Sequence, residues 1–310
     1  MAAEETGRSG AQAHANATAS WRAGRARAIV VTARPRQWAK NVLVLAAPAT
    51  GSALTDGEAL RSVAAAFVAF CLASSGAYFI NDIVDRSADR AHPTKRYRPI
   101  AAGELPIRVA AVFGVGFVVA GLAVAMWAGG PPLLGVVAAY VAVATAYTLV
   151  LRDIALLDLA AIASGFLLRA IGGGVAADVD LSMWFLMVAG FGSLFLAAGK
   201  RRAEFVALGD ARGSHRASLH VYSESYLRYV QYASSTVAIG AYAQWAFEGP
   251  TGGNLWAELS IIPFVIGVFR YALLLDLGRG AAPEDVVLSD PALVTLGLSW
   301  ALLVGLGVYA

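Results

Sequence analysis

Nineteen consecutive residues, Ser62 to Ile80, carry no charge, and neither do the twenty from Val109 to Ala128. A bilayer core about 30 Å thick is crossed by ~20 apolar residues in a helix. Pro131 to Leu151 is a third uncharged run. These stretches are mixtures of Ala, Val, Leu and Gly without the two-residue alternation of a membrane barrel strand. They predict an all-α integral membrane protein, since a helix satisfies its own backbone in lipid. Composition agrees: 15% of the 310 residues are charged, against about 25% in soluble domains. Nine spans are expected, at 38–55, 62–80, 109–128, 131–150, 154–176, 181–199, 229–247, 255–275 and 291–309. Pro48 and Gly51 interrupt the first of them. Residues 1–28 lack the apolar core of a signal peptide and read as a disordered tail. Residues 29–310 read as one transmembrane domain.

Basic residues orient that bundle. Seven lie at or before the start of the first span, six between spans two and three, one between four and five, six between six and seven, and one between eight and nine. That places 21 of the 24 Lys and Arg on one side. The alternate connections hold Asp56, Glu58, Asp178, Asp180 and Glu248 instead. By the positive-inside rule the basic side, with the N-terminus, is cytoplasmic, in a multi-pass protein of the plasma membrane. The two longest loops, near 81–108 and 200–228, face that side, so the chemistry is expected there. The basic residues read as contacts to the membrane and to phosphate, with no nucleic-acid partner. The sequence is compatible with a homo-oligomer but does not fix the oligomeric state.

The loop after the second span opens with Asn81-Asp82-Ile83-Val84-Asp85-Arg86-Ser87-Ala88-Asp89. Asn81, Asp85 and Asp89 are spaced i, i+4, i+8 and share one helix face, with Asp82 one turn from Asp85. Carboxylates this close repel unless a cation lies between them. Hard oxygen donors suit Mg2+, which takes one or two carboxylates and completes its shell with substrate phosphates. Lys95, Arg96 and Arg98 follow at once and suit the remaining phosphate charge. The competing reading is a solvated helix end. A metal–diphosphate site explains the clustering better.

A second polar group is Gly199-Lys200-Arg201-Arg202-Ala203-Glu204. It reads either as a positive-inside anchor or as a further phosphate pocket. Arg169 lies at membrane depth, where a charge is costly and faces the bundle interior. It can be half of a structural ion pair or a phosphate ligand. Asp158, eleven residues earlier on the same face, is about 16 Å away along the axis and out of its direct reach. Tyr147, Arg152 and Asp153 mark an interfacial turn or a cavity rim. Cys71, the single cysteine, reads as a small buried apolar residue. His215 and His220 read as solvated, and His92 shares no metal-ligand spacing with them. Gly172-Gly173-Gly174 reads as close helix packing or a helix end.

NDxxDxxxD followed by KxxRPxxxG, here Asn81 to Gly103, resembles the UbiA superfamily of intramembrane prenyltransferases. The resemblance covers nearly the whole chain. It implies a helical bundle with a cytoplasm-facing polar cavity and Mg2+-assisted departure of diphosphate, with Asp82, Asp85 and Asp89 as the catalytic and metal-binding carboxylates. Typical members carry a second Asp-rich motif where this chain has Lys200, Arg201 and Glu204. That departure matches one branch. Arg34-Pro-Arg-Gln-Trp-Ala-Lys-Asn41, His92 to Gly103, Ser164 to Gly174 and Gly199 to Glu204 resemble members that move phosphoribose from 5-phosphoribosyl diphosphate to a polyprenyl phosphate, decaprenyl phosphate, for cell-wall arabinan. Lys40, Asn81, Lys95, Arg96, Arg98, Tyr147, Arg152, Arg169, Lys200, Arg201 and Glu204 are then the expected substrate-binding residues. Two alternatives stay open: a prenyl diphosphate donor with an aromatic acceptor, and a non-enzymatic lipid or solute carrier.

Overall fold

A computed structural model of the chain describes residues 24–208, 218–248, 253–278 and 283–310, and every regular element among them is helical. The first, α1, covers residues 24–33. Its Ala28 and Ala33 pack with Phe79, Ile100, Leu105 and Ala110. The expected tail therefore ends too late: residues 24–28 already belong to a packed helix, and residues 1–23 lie outside the described residues.

The expected first span is not a single α-helix. It is a 3-10 helix Pro35–Leu45, a short α2 Ala46–Thr50 and a 3-10 turn Ala53–Thr55. Pro35 sits in its first turn, where a missing N–H costs nothing, and Gly51 closes α2. The 28-residue α3, Gly57–Val84, follows, with Asp56 accepting from the Glu58 N–H at its start. At 1.5 Å per residue it is about 42 Å long, enough to cross a bilayer.

After α3 come α4 (Arg86–Ala91), a 3-10 turn Lys95–Tyr97 and α5 (Pro99–Ala102). The next helical run, α6 (Ile107–Leu149), joins two expected spans. Non-helical Gly129 and Gly130 (φ 62°, ψ −157°) break it just before Pro131 and Pro132, and the left-handed φ at Gly130 is cheap only for glycine. A 3-10 turn Leu151–Asp153 leads into α7 (Leu157–Ala176), then α8 (Met183–Leu208), α9 (Ser218–Val221) and α10 (Glu224–Glu248). Helices α11 (Leu255–Leu259), α12 (Ile261–Asp276), α13 (Pro283–Ser289) and α14 (Pro291–Tyr309) complete the chain.

Among the described residues six helical stretches are long and apolar enough to cross a membrane: α3, α6, α7, most of α8, α11 with α12, and α14. The expected count of nine is not reproduced, for three physical reasons. Residues 35–55 break into short turns, α6 merges two spans, and α10 has the length but carries Gln231, Ser234, Ser235, Thr236 and Gln244. The protein is a multi-pass, all-helical membrane protein.

The core forms where α3, α6 and α7 meet, around Val63, Phe70, Leu133, Val137 and Tyr140. Helix α7 also presses on the 3-10 segment. A Cβ on Gly173 would lie 1.8 Å from the Val44 carbonyl oxygen, a distance no side chain tolerates. The glycine run thus serves close packing, as its sequence suggested. Cys71 is buried and unpaired in any disulfide. This packing gathers the C-terminal ends of α3 and α6, the start of α7 and the last turns of α8.

Candidate active site

The aspartate motif spans the break between α3 and α4. Asp85 caps α3 with φ −81° and ψ 0°. The Asp85 N–H still donates to the Asn81 carbonyl at 2.9 Å, and the Asp89 N–H to the Asp85 carbonyl at 2.8 Å. The i, i+4, i+8 face therefore survives although the helix is interrupted. Asp82 and Asp89 are almost fully buried.

Each carboxylate meets an arginine from a different part of the chain. Arg34 Nη2 lies 2.5 Å from Asp82 Oδ1. Arg98 Nη1 bridges Asp82 at 3.2 Å and Asp89 at 2.7 Å. Arg152 Nη1 lies 2.5 Å from Asp85 Oδ1. Asn81 donates to Thr148 Oγ1 at 3.4 Å, which ties the motif to the end of α6. The three arginines keep 22–26% of their side chains exposed. All three sit on short connections: Arg34 between α1 and the 3-10 segment, Arg98 ahead of α5, Arg152 in the turn before α7.

The second polar group folds into a separate, buried cluster. Arg201 is fully buried in α8. Its Nε donates to Asp158 Oδ2 at 2.6 Å, Nη1 to Glu204 Oε2 at 2.5 Å and Nη2 to Tyr147 Oη at 2.7 Å. Asp158, at the start of α7, also accepts from the Tyr222 hydroxyl. Tyr222 in turn accepts from the Leu156 N–H at 2.7 Å. Burial, and then the bond to Asp158, push the Tyr222 phenol above its ordinary pKa, so it stays a neutral donor. Ser218 donates to the Arg152 carbonyl at 2.8 Å. All three nitrogens of Arg201, expected to bind phosphate, are engaged by protein groups in this structure, and its side chain is withdrawn from solvent. Glu204 and Tyr147 are held as its partners. Arg202 is likewise engaged, by Glu224 at 3.2 Å and Asp276 at 2.5 Å.

Arg169 is buried at membrane depth with neutral partners. It donates to Asn41 Oδ1 at 2.6 Å, to the Gly165 carbonyl at 2.5 Å and to Tyr140 Oη at 2.9 Å. Its guanidinium also lies 4.5 Å from the Tyr140 ring centroid, a favourable cation–π distance. Arg169 thus holds the 3-10 segment, α6 and α7 together, and does not meet Asp158. Among the other expected ligands, Lys40 lies half-buried in the 3-10 segment, Lys95 half-buried and Arg96 exposed in the turn 95–97, and Lys200 half-buried in α8. Arg96 stacks on Tyr97 with its Cζ 4.9 Å from the ring centroid.

Sequence reasoning did not select Arg34, Asp158, Tyr222, Ser218 or Asn41 as site residues. Arg34 had a signal, being part of the quoted stretch Arg34–Asn41, and Asp158 is an acid at the edge of an apolar run. Tyr222 and Ser218 carry no local signal, because only folding brings them to Asp158.

Oxygen-only donors at the α3 terminus suit Mg2+ by chemistry. As arranged, guanidinium groups neutralise them, and among the described residues no three acidic, His or Cys side chains are grouped to hold a metal. The fit to the cation lies in the chemistry of the donor atoms, all of them oxygen.

The UbiA prenyltransferase family matches residues 42–289. A decaprenyl-phosphate phosphoribosyltransferase of Corynebacterium glutamicum is 43% identical over 89% of this chain and 85% of its own. One of Mycobacterium tuberculosis is 44% identical over 90% of this chain and 94% of its own. Among solved structures, a UbiA homolog from Archaeoglobus fulgidus bound to GPP and Mg2+ superimposes with a TM-score of 0.71. It covers 90% of this chain and 98% of that one at 16% identity, which speaks for the fold alone.

Proposed function

This chain belongs to the UbiA prenyltransferase family, and we propose that it transfers 5-phosphoribose from 5-phosphoribosyl diphosphate to decaprenyl phosphate, releasing diphosphate. The observation that carries the reading is the full-length similarity to decaprenyl-phosphate phosphoribosyltransferases. The site supports it, because three guanidinium groups converge where a diphosphate would leave. The reaction takes place at the cytoplasmic face of the plasma membrane and feeds arabinan precursor synthesis.

The chain's own groups account for the demands of that reaction. Arg34, Arg98 and Arg152 bind phosphate oxygens of the donor, each charge-assisted hydrogen bond being worth about 1.5–3 kcal/mol. Lys40, Lys95, Arg96 and Lys200 are the further cations assigned to phosphate in this reading. Asp82, Asp85 and Asp89 are the residues that would hold Mg2+, which when bound supplies neutralising charge to the departing diphosphate. As the C1–O bond lengthens, the ribose gains oxocarbenium character, and the acceptor phosphate attacks the opposite face with inversion. A phosphate monoester is largely ionised at neutral pH, its second pKa being about 6. No side chain has to act as a strong base. The polyprenyl tail lies in lipid beside the bundle, so a water-soluble donor meets an apolar acceptor at the boundary.

The test is direct. The purified protein is incubated with labelled phosphoribosyl diphosphate, Mg2+ and a panel of polyprenyl phosphates, and the lipid fraction is assayed for label. A labelled lipid is expected, and EDTA should abolish it. Transfer from geranyl or farnesyl diphosphate to an aromatic acid, with no phosphoribosyl lipid, would replace this reading with ordinary prenyl transfer.

A further inference from the structure

We propose that Arg34, Arg98 and Arg152 are exchangeable counter-ions, holding the motif carboxylates without donor and passing to its phosphate oxygens when a divalent cation takes those carboxylates. The inference rests on the donor-diphosphate reading above and adds an interlock to it: neither cation nor diphosphate binds well without the other.

Three observations lead there. First, the charges are matched. Asp82, Asp85 and Asp89 face Arg34, Arg98 and Arg152, three charges of each sign, with Asp153 also 3.8 Å from Arg152 Nε at the edge of the group. A divalent cation alone would leave an uncompensated positive charge, and a diphosphate alone an uncompensated negative one. Together they nearly cancel. Second, the two sets differ in freedom. The carboxylates stand at a helix end, with Asp82 and Asp89 only 3% and 4% exposed as side chains. The arginines are partly exposed and rise from short connections, and Arg34 adopts the left-handed backbone (φ 53°) that non-glycine residues rarely take. Their long side chains can change partner without moving a helix. Third, each arginine comes from a separate segment, so an exchange would report donor binding to α1, to the loop before α5 and to the turn before α7 at once. Coupling of this kind is reciprocal: whatever factor the cation adds to diphosphate affinity, diphosphate adds to cation affinity.

Arg152 is the cleanest point of attack, because it is the arginine paired with Asp85 and neither is deeply buried. The full chain, purified in detergent and stripped with EDTA, is titrated with Mn2+ alone, and bound ion is read from the loss of the free-ion EPR signal. Arg152→Gln should bind Mn2+ about tenfold more tightly than wild type, since the competing charge-assisted hydrogen bond is gone. The same variant should bind the Mn2+–pyrophosphate pair about tenfold more weakly, having lost a phosphate partner. Arg34→Gln should show both signs, and it carries the test if Arg152→Gln fails to fold. Arg152→Lys, which keeps the charge, should stay close to wild type for Mn2+ alone.

Unchanged or weaker Mn2+ binding in both Gln variants overturns the exchange, as does an absence of Mn2+ binding in every form. If that happens while wild type still makes labelled phosphoribosyl lipid, the donor reading survives and only the interlock falls. If the Gln variants do bind Mn2+ more tightly but no phosphoribosyl lipid forms, the interlock stands and the identity of the donor is wrong.

Discussion

Asp158→Ala should be among the most destabilising substitutions at this end of the molecule, and its size follows from what Asp158 holds. Both Asp158 and Arg201 are fully buried. Removing one member of a buried ion pair costs about 3–5 kcal/mol, because the other charge stays behind in a medium that cannot solvate it. Two details adjust that figure. Glu204 still faces Arg201 at 2.5 Å, which softens the loss. The Tyr222 hydroxyl loses its acceptor, and an unsatisfied buried donor adds about 1–3 kcal/mol. Asp158→Ala is therefore expected to cost about 4 kcal/mol, and Asp158→Asn less, since an amide oxygen can still accept one bond. The assay is thermal unfolding of purified protein in detergent, beside Arg270→Ala as comparator. That partly exposed arginine pairs with Asp290 at 2.8 Å, a surface contact of the kind that contributes little to stability. A double variant, Asp158→Leu with Arg201→Met, removes both charges and should be more stable than Asp158→Ala alone. If Asp158→Ala melts with wild type, or no earlier than the comparator, the buried cluster does not hold this region together. If Arg201→Lys keeps full stability yet loses diphosphate affinity, Arg201 is a phosphate ligand after all.

Gly173→Ala should destabilise by ~3 kcal/mol, the upper end for overpacking, because its Cβ would strike the Val44 carbonyl; thermal unfolding checks it, and a neutral result would contradict the close approach of α7 to residues 35–45. Asp85→Asn should leave the protein folded and lower turnover several hundredfold, equivalent to ~3–4 kcal/mol of transition-state stabilisation, and near wild-type rates would remove Asp85 from the reaction. In a Cys71→Ser background, Ser223→Cys should react with an impermeant thiol reagent from the cytoplasmic side only and Glu58→Cys from the outside only, since both positions are exposed at opposite ends of the bundle's expected topology. The reverse labelling pattern would put the aspartate motif on the wrong face.

What the sequence determined is local or statistical in nature. Uncharged runs of nineteen and twenty residues dictate helices in lipid whatever their neighbours are. The Gly129-Gly130-Pro131-Pro132 turn is legible because only glycine takes the backbone that Gly130 takes, and proline then starts the next arm. The i, i+4, i+8 spacing of Asn81, Asp85 and Asp89 survives the break at Asp85 because the backbone hydrogen bonds run through it. Residues 35–55 were harder, since prolines and glycine there interrupt a helix without saying what replaces it.

Partner choice was decided by tertiary structure. Arg201 looked like a cavity cation because its neighbours in sequence are basic. It is instead sealed against Asp158, 43 positions away. Arg34 reaches Asp82 across 48 positions and Arg152 reaches Asp85 across 67. A charge in sequence declares only that it needs a counter-charge or water. Which counter-charge it finds depends on how α3, α6, α7 and α8 pack, because an ion pair acts over a few ångströms of space and is indifferent to distance along the chain.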